Sequence, residues 1–133
     1  IHDSARPHLS EKLVRDVIVQ GMEFGAATLA MPVKFTVKET DSSGLVKRTL
    51  NRDNIWEIQT PQVLSLDLLE RGFSKVFEED LTVTDDVSLA ELLGSPVKLL
   101  KGSSKNIKIT TPDDLIVMEH FLKLESNRVL ATL

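Results

Sequence analysis

The sequence contains no cysteine, which excludes disulfides, thiolate metal sites and thiol nucleophiles and agrees with a reducing compartment. It has no excess of positive charge either. Its 16 Lys and Arg stand against 20 Asp and Glu, a formal charge of -4, and the basic residues are scattered. That distribution gives no electrostatic footprint for nucleic acid or an anionic membrane. No run of about 18 apolar residues exists, so no segment reads as membrane-spanning. Internal repeats and low-complexity tracts are missing, and His2, His8 and His120 show no metal-ligand spacing. What is present is a chain of 133 residues, 41% hydrophobic, enough for one domain with a real core.

The periodicities alternate between helix and strand. Leu9, Leu13, Val14, Val17 and Ile18 share one helical face that Ser10 can cap, with Gly21 or Gly25 as the stop. Ala26 to Val33 is almost uncharged and suits a central strand buried on both faces of a parallel sheet. Residues 34–50 then alternate around the turn Asp41-Ser42-Ser43-Gly44, the pattern of a β-hairpin. Lys34, Lys38, Lys47, Arg48 and Arg52 make that hairpin polar, so it is expected to project as an arm over about 34–53. A lone two-stranded ribbon is marginal in water and has open edges, which makes a second subunit the expected partner.

Beyond the arm, Ile55 to Ile58 reads as a strand ending at Thr60-Pro61, and Leu66, Leu69, Phe73, Val76 and Phe77 mark a helix. Thr84 with Asp85 and Asp86 predicts a helix start carrying Leu89, Leu92 and Leu93, stopped at Gly94. Strands are expected at Val97–Leu100 and Ile107–Ile109. Thr111 and Pro112 then open a helix with Leu115, Met118 and Leu122 inward, and the tail from Glu125 extends it or docks elsewhere. The class is α/β, a mostly parallel sheet with helices on both faces and a projecting hairpin. In such sheets ligands bind beyond the carboxyl ends of strands. Asp3, Arg6, Thr60, Thr84, Thr111 and Lys108 fall at such places. At the other end, Ile1 has no initiator Met before it and reads as the close of an apolar strand, so the chain is expected to be a piece of a longer protein.

Five segments carry a family resemblance, in order: IHDSARP, MPVKFT, NRDNIWEIQTPQ, VTDDVS and NIKITTPDDL. They resemble the HDAARP, PVxDT, DRxxLWxxQTPQ, TDEAS and NIKxTxPEDL motifs of the 2-C-methyl-D-erythritol 4-phosphate cytidylyltransferases. The resemblance implies a Rossmann-like nucleotidyltransferase domain, residues 1–133 being the C-terminal part, of a cytoplasmic bacterial enzyme or a plastid one. It implies a reaction of the non-mevalonate isoprenoid pathway. There a phosphate oxygen of methylerythritol phosphate attacks the α-phosphorus of CTP and pyrophosphate leaves. Such chemistry is mainly positioning and charge stabilisation, with no side-chain nucleophile.

Carried residue by residue, the resemblance makes Asp3 the loop acid that organises the substrate, a catalytic residue together with Lys108. Asp3 is also the nearest acid to nominate for a magnesium ion among the CTP phosphates. Arg6 follows in the same loop, and Lys108 and Thr84 reach the acceptor phosphate. Thr36 lies at the base of the arm and, like Arg6, is expected to bind substrate. Arg52 and Thr60 serve the neighbouring subunit's site, so the arm is expected to be both the clasp of a homodimer and a wall of the active site. Two departures stand out. Phe35 replaces the family's Asp, and the glycine-rich loop that holds CTP phosphates precedes HDAARP in the family and is not among these residues, so the piece alone is expected to be inactive.

Each residue also has an ordinary explanation. Asp3 and Arg6 can pair within a loop, Thr84 and Thr111 can be plain caps, Lys108 an outward lysine, Arg52 a solvated arm residue and Thr60 a turn residue. The order of the motifs favours function. Two alternatives are kept, a cytidylyltransferase for another polyol phosphate such as ribitol 5-phosphate, and a non-catalytic dimerisation module.

Overall fold

The computed structural model describes the backbone of residues 1–130 and the side chains of residues 1–124. Helix α1 (Glu11–Phe24) starts where Ser10 accepts a hydrogen bond from Leu13 N at 3.3 Å. It ends at Gly25, whose φ of 83° is a left-handed cap that glycine adopts without a Cβ penalty. Gly21, the other expected stop, stays helical. It is the contact point with the sheet, where an added Cβ would lie 2.3 Å from Val63 Cγ1.

Strand β1 (Ala26–Pro32) is the middle of a three-stranded sheet and its first five residues are buried. It pairs antiparallel with β4 (Trp56–Leu64) and parallel with β5 (Lys98–Lys101). The α/β class is as expected, but parallel pairing does not predominate among these strands. Successive β1 residues serve opposite faces. Ala27 and Leu29 pack on Val17 of α1 with Val63 and Leu100, while Ala26 packs on Leu68 of α2 (Leu66–Glu79) and Ala90 of α3 (Ser88–Leu92). Helices therefore cover both faces.

The arm is a separate hairpin of β2 (Lys38–Thr40) and β3 (Val46–Thr49), paired only with each other, and every β3 residue is exposed. A 3₁₀ turn at Arg52–Asn54 leads back to β4.

Four sequence expectations need correction. β4 does not end at Thr60-Pro61 but continues to Leu64, through an irregularity in which Thr28 and Ala30 face Gln62 and Ile58. Two β1 steps thus span four on β4, and Gln59, Thr60 and Pro61 bulge. Thr84 does not start a helix directly. A turn intervenes and α3 begins at Ser88, whose N–H is held by Asp85 Oδ1 at 3.1 Å. Residues Ile107–Ile109 form no strand, although Ile109 N donates to Ala5 O at 2.8 Å. In α4 (Pro112–Leu130), Met118 is 2% exposed as expected, but Leu115 and Leu122 are 50% and 46% exposed. The tail does extend this helix, to Leu130, and residues 131–133 lie outside the described residues.

Candidate active site

The carboxyl ends of β1 and β5 are where the chain becomes irregular, and the β4 bulge lies beside them. A bulge re-aims side chains. Here it turns the Gln59 amide into the loop after β5, where it spans both sides of the chain. Gln59 Nε2 donates to Ser103 O at 2.9 Å, and Gln59 Oε1 accepts from Ser103 N at 3.3 Å and Asn106 Nδ2 at 3.4 Å. Gly102 leaves the space for this amide, since a Cβ there would fall 2.1 Å from Gln59 Oε1. Asn106 is fully buried and closes the clasp by donating to Thr60 O at 2.8 Å.

That clasp fixes the approach to Lys108. The N-terminal loop is fixed by the same elements: Arg6 Nη1 donates to Asn106 O at 2.7 Å, and Asp3 N donates to Thr60 Oγ1 at 3.1 Å. Main-chain bonds run both ways between Ile1 and Gln62, at 2.8 and 2.9 Å. As a result Asp3 Oδ2 lies 3.2 Å from Arg6 Nε and 3.2 Å from Lys108 Nζ. Desolvation pushes the Asp3 carboxyl up, but the hydrogen bonds and charges of Lys108 and Arg6 outweigh it and hold the group below the ordinary carboxylate value.

Asp3, Arg6, Thr60, Thr84 and Lys108 all line one cavity of about 450 Å³, so the structure brings together most of the residues that the sequence singled out. Thr60, expected to serve the neighbouring subunit, instead faces its own chain's cleft, because the β4 bulge sets it against the N-terminal loop, where its Oγ1 accepts from Asp3 N. Thr36 and Arg52 are not among its lining residues. Thr36 is exposed at the base of the arm, and Arg52 Nη1 donates to Lys34 O at 2.7 Å. Gln59, Gln62, Asp85 and Asp86 also face the cavity, and sequence reasoning assigns them no role there. Gln62 ties the floor to the turn before α3, donating to Asp85 Oδ2 at 3.1 Å and accepting from Val87 N at 2.9 Å. The only sequence signal for these residues is their place inside the QTPQ and VTDDVS segments. By residue count the cavity holds Arg6 and Lys108 against Asp3, Asp85 and Asp86, so its cations do not outnumber its acids.

A second cavity of about 390 Å³ shares Arg6, Ile58, Gln59 and Lys108 with the first and has a more apolar wall that includes Met31, Pro32, Phe35 and Ile107.

Fold and cleft together define an α/β domain with an ion-paired polar site at the carboxyl edge of its sheet. Comparison with known families makes that class specific. The model of the family IspD: 2-C-methyl-D-erythritol 4-phosphate cytidylyltransferase matches residues 1–124, and the chain belongs to this family. It is 48% identical over 122 residues to the chloroplastic 2-C-methyl-D-erythritol 4-phosphate cytidylyltransferase of Oryza sativa subsp. japonica, covering 92% of this chain and 41% of that protein. To the enzyme of that name from Syntrophus aciditrophicus it is 46% identical over 129 residues, covering 97% of this chain and 55% of the relative. The crystal structure of the cytidylyltransferase from Thermus thermophilus superposes with a TM-score of 0.82 at 33% identity, over 92% of this chain and 60% of that one. The chain thus spans about half the length of the curated relatives it matches.

Proposed function

We propose that the complete protein transfers CMP from CTP to 2-C-methyl-D-erythritol 4-phosphate, releasing pyrophosphate. The observation that carries this reading is the convergence of Lys108 and Arg6 on Asp3 beside Thr60 and Thr84 in one cleft. Lys108 and Thr84 hold the acceptor phosphate. Arg6 sets the loop, and Asp3 fixes both cations and orients the acceptor hydroxyls. Because Asp3 stays ionised well below neutral pH, these cations keep a fixed counter-charge until phosphate replaces it.

The cleft alone does not neutralise a phosphate in excess, which supports a further cation from outside it. Arg52 on the arm of a second subunit supplies that charge, and the arm thereby joins a homodimer. These side chains form no magnesium cage of their own, and Asp3 remains the acid nominated beside an ion that the nucleotide holds. The Asp3 oxygen nearest the cleft's cations already serves two of them, and no group of three His, Asp or Glu able to hold a metal occurs among the described residues. A divalent ion accompanying CTP would be held by triphosphate oxygens, and no step is routed through it.

We place the protein in a bacterial cytoplasm or a plastid, following the bacterial and chloroplastic relatives. Among the described residues no helix is long and apolar enough to cross a membrane.

The test is pyrophosphate release by the full-length protein with CTP and magnesium, with methylerythritol 4-phosphate and ribitol 5-phosphate as parallel acceptors. Phe35, 79% exposed on the wall of the adjoining cavity, is the observation that keeps the second acceptor in the test. Release with methylerythritol phosphate alone is expected. Lys108→Ala and Arg52→Ala should each cost about 1–3 kcal/mol of acceptor use, the scale of a lost charge-assisted hydrogen bond. Silence with both acceptors, or unchanged kinetics in both variants, would sink this reading.

A further inference from the structure

We propose that His2 is a positioning residue of the acceptor site, held as the Nε2–H tautomer so that its Nδ1 accepts a hydrogen bond from the Thr60 hydroxyl and turns the Thr60 oxygen toward hydroxyl groups. This inference rests on the acceptor reading above. His2 is an exposed loop residue, yet both of its ring nitrogens are engaged. Nε2 lies 3.0 Å from the carbonyl oxygen of Arg6, and Nδ1 lies 2.8 Å from Thr60 Oγ1.

The direction of these bonds follows from what each atom can do. A carbonyl oxygen only accepts, so Nε2 carries a proton. In the neutral ring Nδ1 is then bare and accepts, and the group offered to it is the Thr60 hydroxyl. Thr60 Oγ1 meanwhile accepts from Asp3 N at 3.1 Å. One arrangement satisfies every partner: Asp3 N–H to Thr60 oxygen, Thr60 O–H to Nδ1, and Nε2–H to Arg6 O.

The consequence reaches the substrate. A hydroxyl has one proton and two lone pairs. With the proton given to His2 and one lone pair given to Asp3, Thr60 keeps a single acceptor site for the cleft. That site suits an alcohol of a polyol and cannot donate to a phosphate. The relay also ties the loop at three points, the Asp3 amide, the Arg6 carbonyl and the ring itself, so losing His2 loosens the two side chains that flank Lys108.

The test uses the full-length protein. A long-range ¹H–¹⁵N spectrum of its histidine rings at pH 8 should show His2 protonated at Nε2 alone. Protonation at Nδ1, whether alone or in a doubly protonated ring, would overturn the relay. His2→Gln carries an acceptor and a donor about as far apart as the ring nitrogens and should keep acceptor kcat/KM within about threefold, whereas His2→Ala should lower it about 10- to 100-fold, mostly through acceptor KM with CTP KM little changed. His2→Leu keeps bulk without polarity. If it serves as well as Gln, the side chain only fills space and the inference fails. A wild-type protein silent with methylerythritol phosphate would overturn the acceptor reading, while the spectrum still decides the relay on its own.

Discussion

The cleft and the arm hold their shapes by opposite means. The arm is an antiparallel ladder with one irregularity, between Glu39 and Thr40, yet every residue of β3 is exposed and its ion pair, Arg48 with Glu39 at 2.6 Å, is solvated. The cleft has almost no regular structure between Gly102 and Thr111, yet Gln59, Thr60, Gln62 and Asn106 are buried and bonded to main-chain groups far along the sequence. Regular hydrogen bonding therefore does not measure how firmly a geometry is fixed. Burial does, because a buried amide that loses its partner carries the full desolvation cost, whereas an exposed one turns to water.

Substitutions can break this contrast. The largest effect should come from Leu29→Ala, behind the β4 bulge, because removing a fully buried side chain costs about 2–5 kcal/mol through lost transfer and the cavity left. Denaturant unfolding of the intact protein measures it. Next is Gly102→Ala, whose added carbon collides with the Gln59 amide and lies 3.4 Å from Leu29 Cβ. Overpacking of this kind costs about 1–3 kcal/mol. Acceptor kinetics should suffer as well, since the clasp leads to Lys108. A Gly102→Ala protein with wild-type stability and kinetics would show that the clasp is not rigid.

On the arm the expectation reverses. Arg48→Ala removes an exposed pair and should change stability by no more than about 0.5 kcal/mol. A loss of several times that in the isolated subunit would mean that the arm is anchored as firmly as the cleft.

The smallest effect concerns pH at the start of α4. Backbone N–H of Thr110, together with the hydroxyl and N–H of Thr111, lowers the Asp114 carboxyl from 3.8 to about 2. The folded value is depressed. The stabilisation is therefore fully present above the ordinary value and is lost as pH falls through about 2. Asp3 has the same sign of shift and loses its contribution on acidification in the same direction. Acid titration of unfolding midpoints for Asp114→Asn against the parent should converge at the lowest pH. Parallel curves would remove Asp114 from the account.

Local chemistry was legible where one residue acts on its neighbours. Ser10 caps α1, Gly25 ends it, and Asp41 to Gly44 turns the hairpin, all within a few residues of the signal. The same reasoning stopped β4 at Thr60-Pro61, because a proline after a short apolar run looks like an ending. Pro61 instead sits in the bulge, where β4 continues with Gln62 as the residue that bonds the turn before α3. Ile107 to Ile109 alternated like a strand and found no strand partner, since the clasp at Asn106 holds that segment to the N-terminal loop.

The sequence by itself determined the α/β class, the capped helices, the buried strand β1, the arm and the series of motifs that marks the family, because these depend on periodicity and on contacts a few residues apart. Only the tertiary structure decided that Asp3, Arg6, Thr60, Thr84 and Lys108 share one cleft, that Arg52 lies outside it, and that Gln59, Asn106 and His2 brace it. Those relations include pairs 100 or more positions apart, Arg6 with Asn106 and Asp3 with Lys108. No local preference encodes them; they exist only once β1, β4 and β5 are packed side by side.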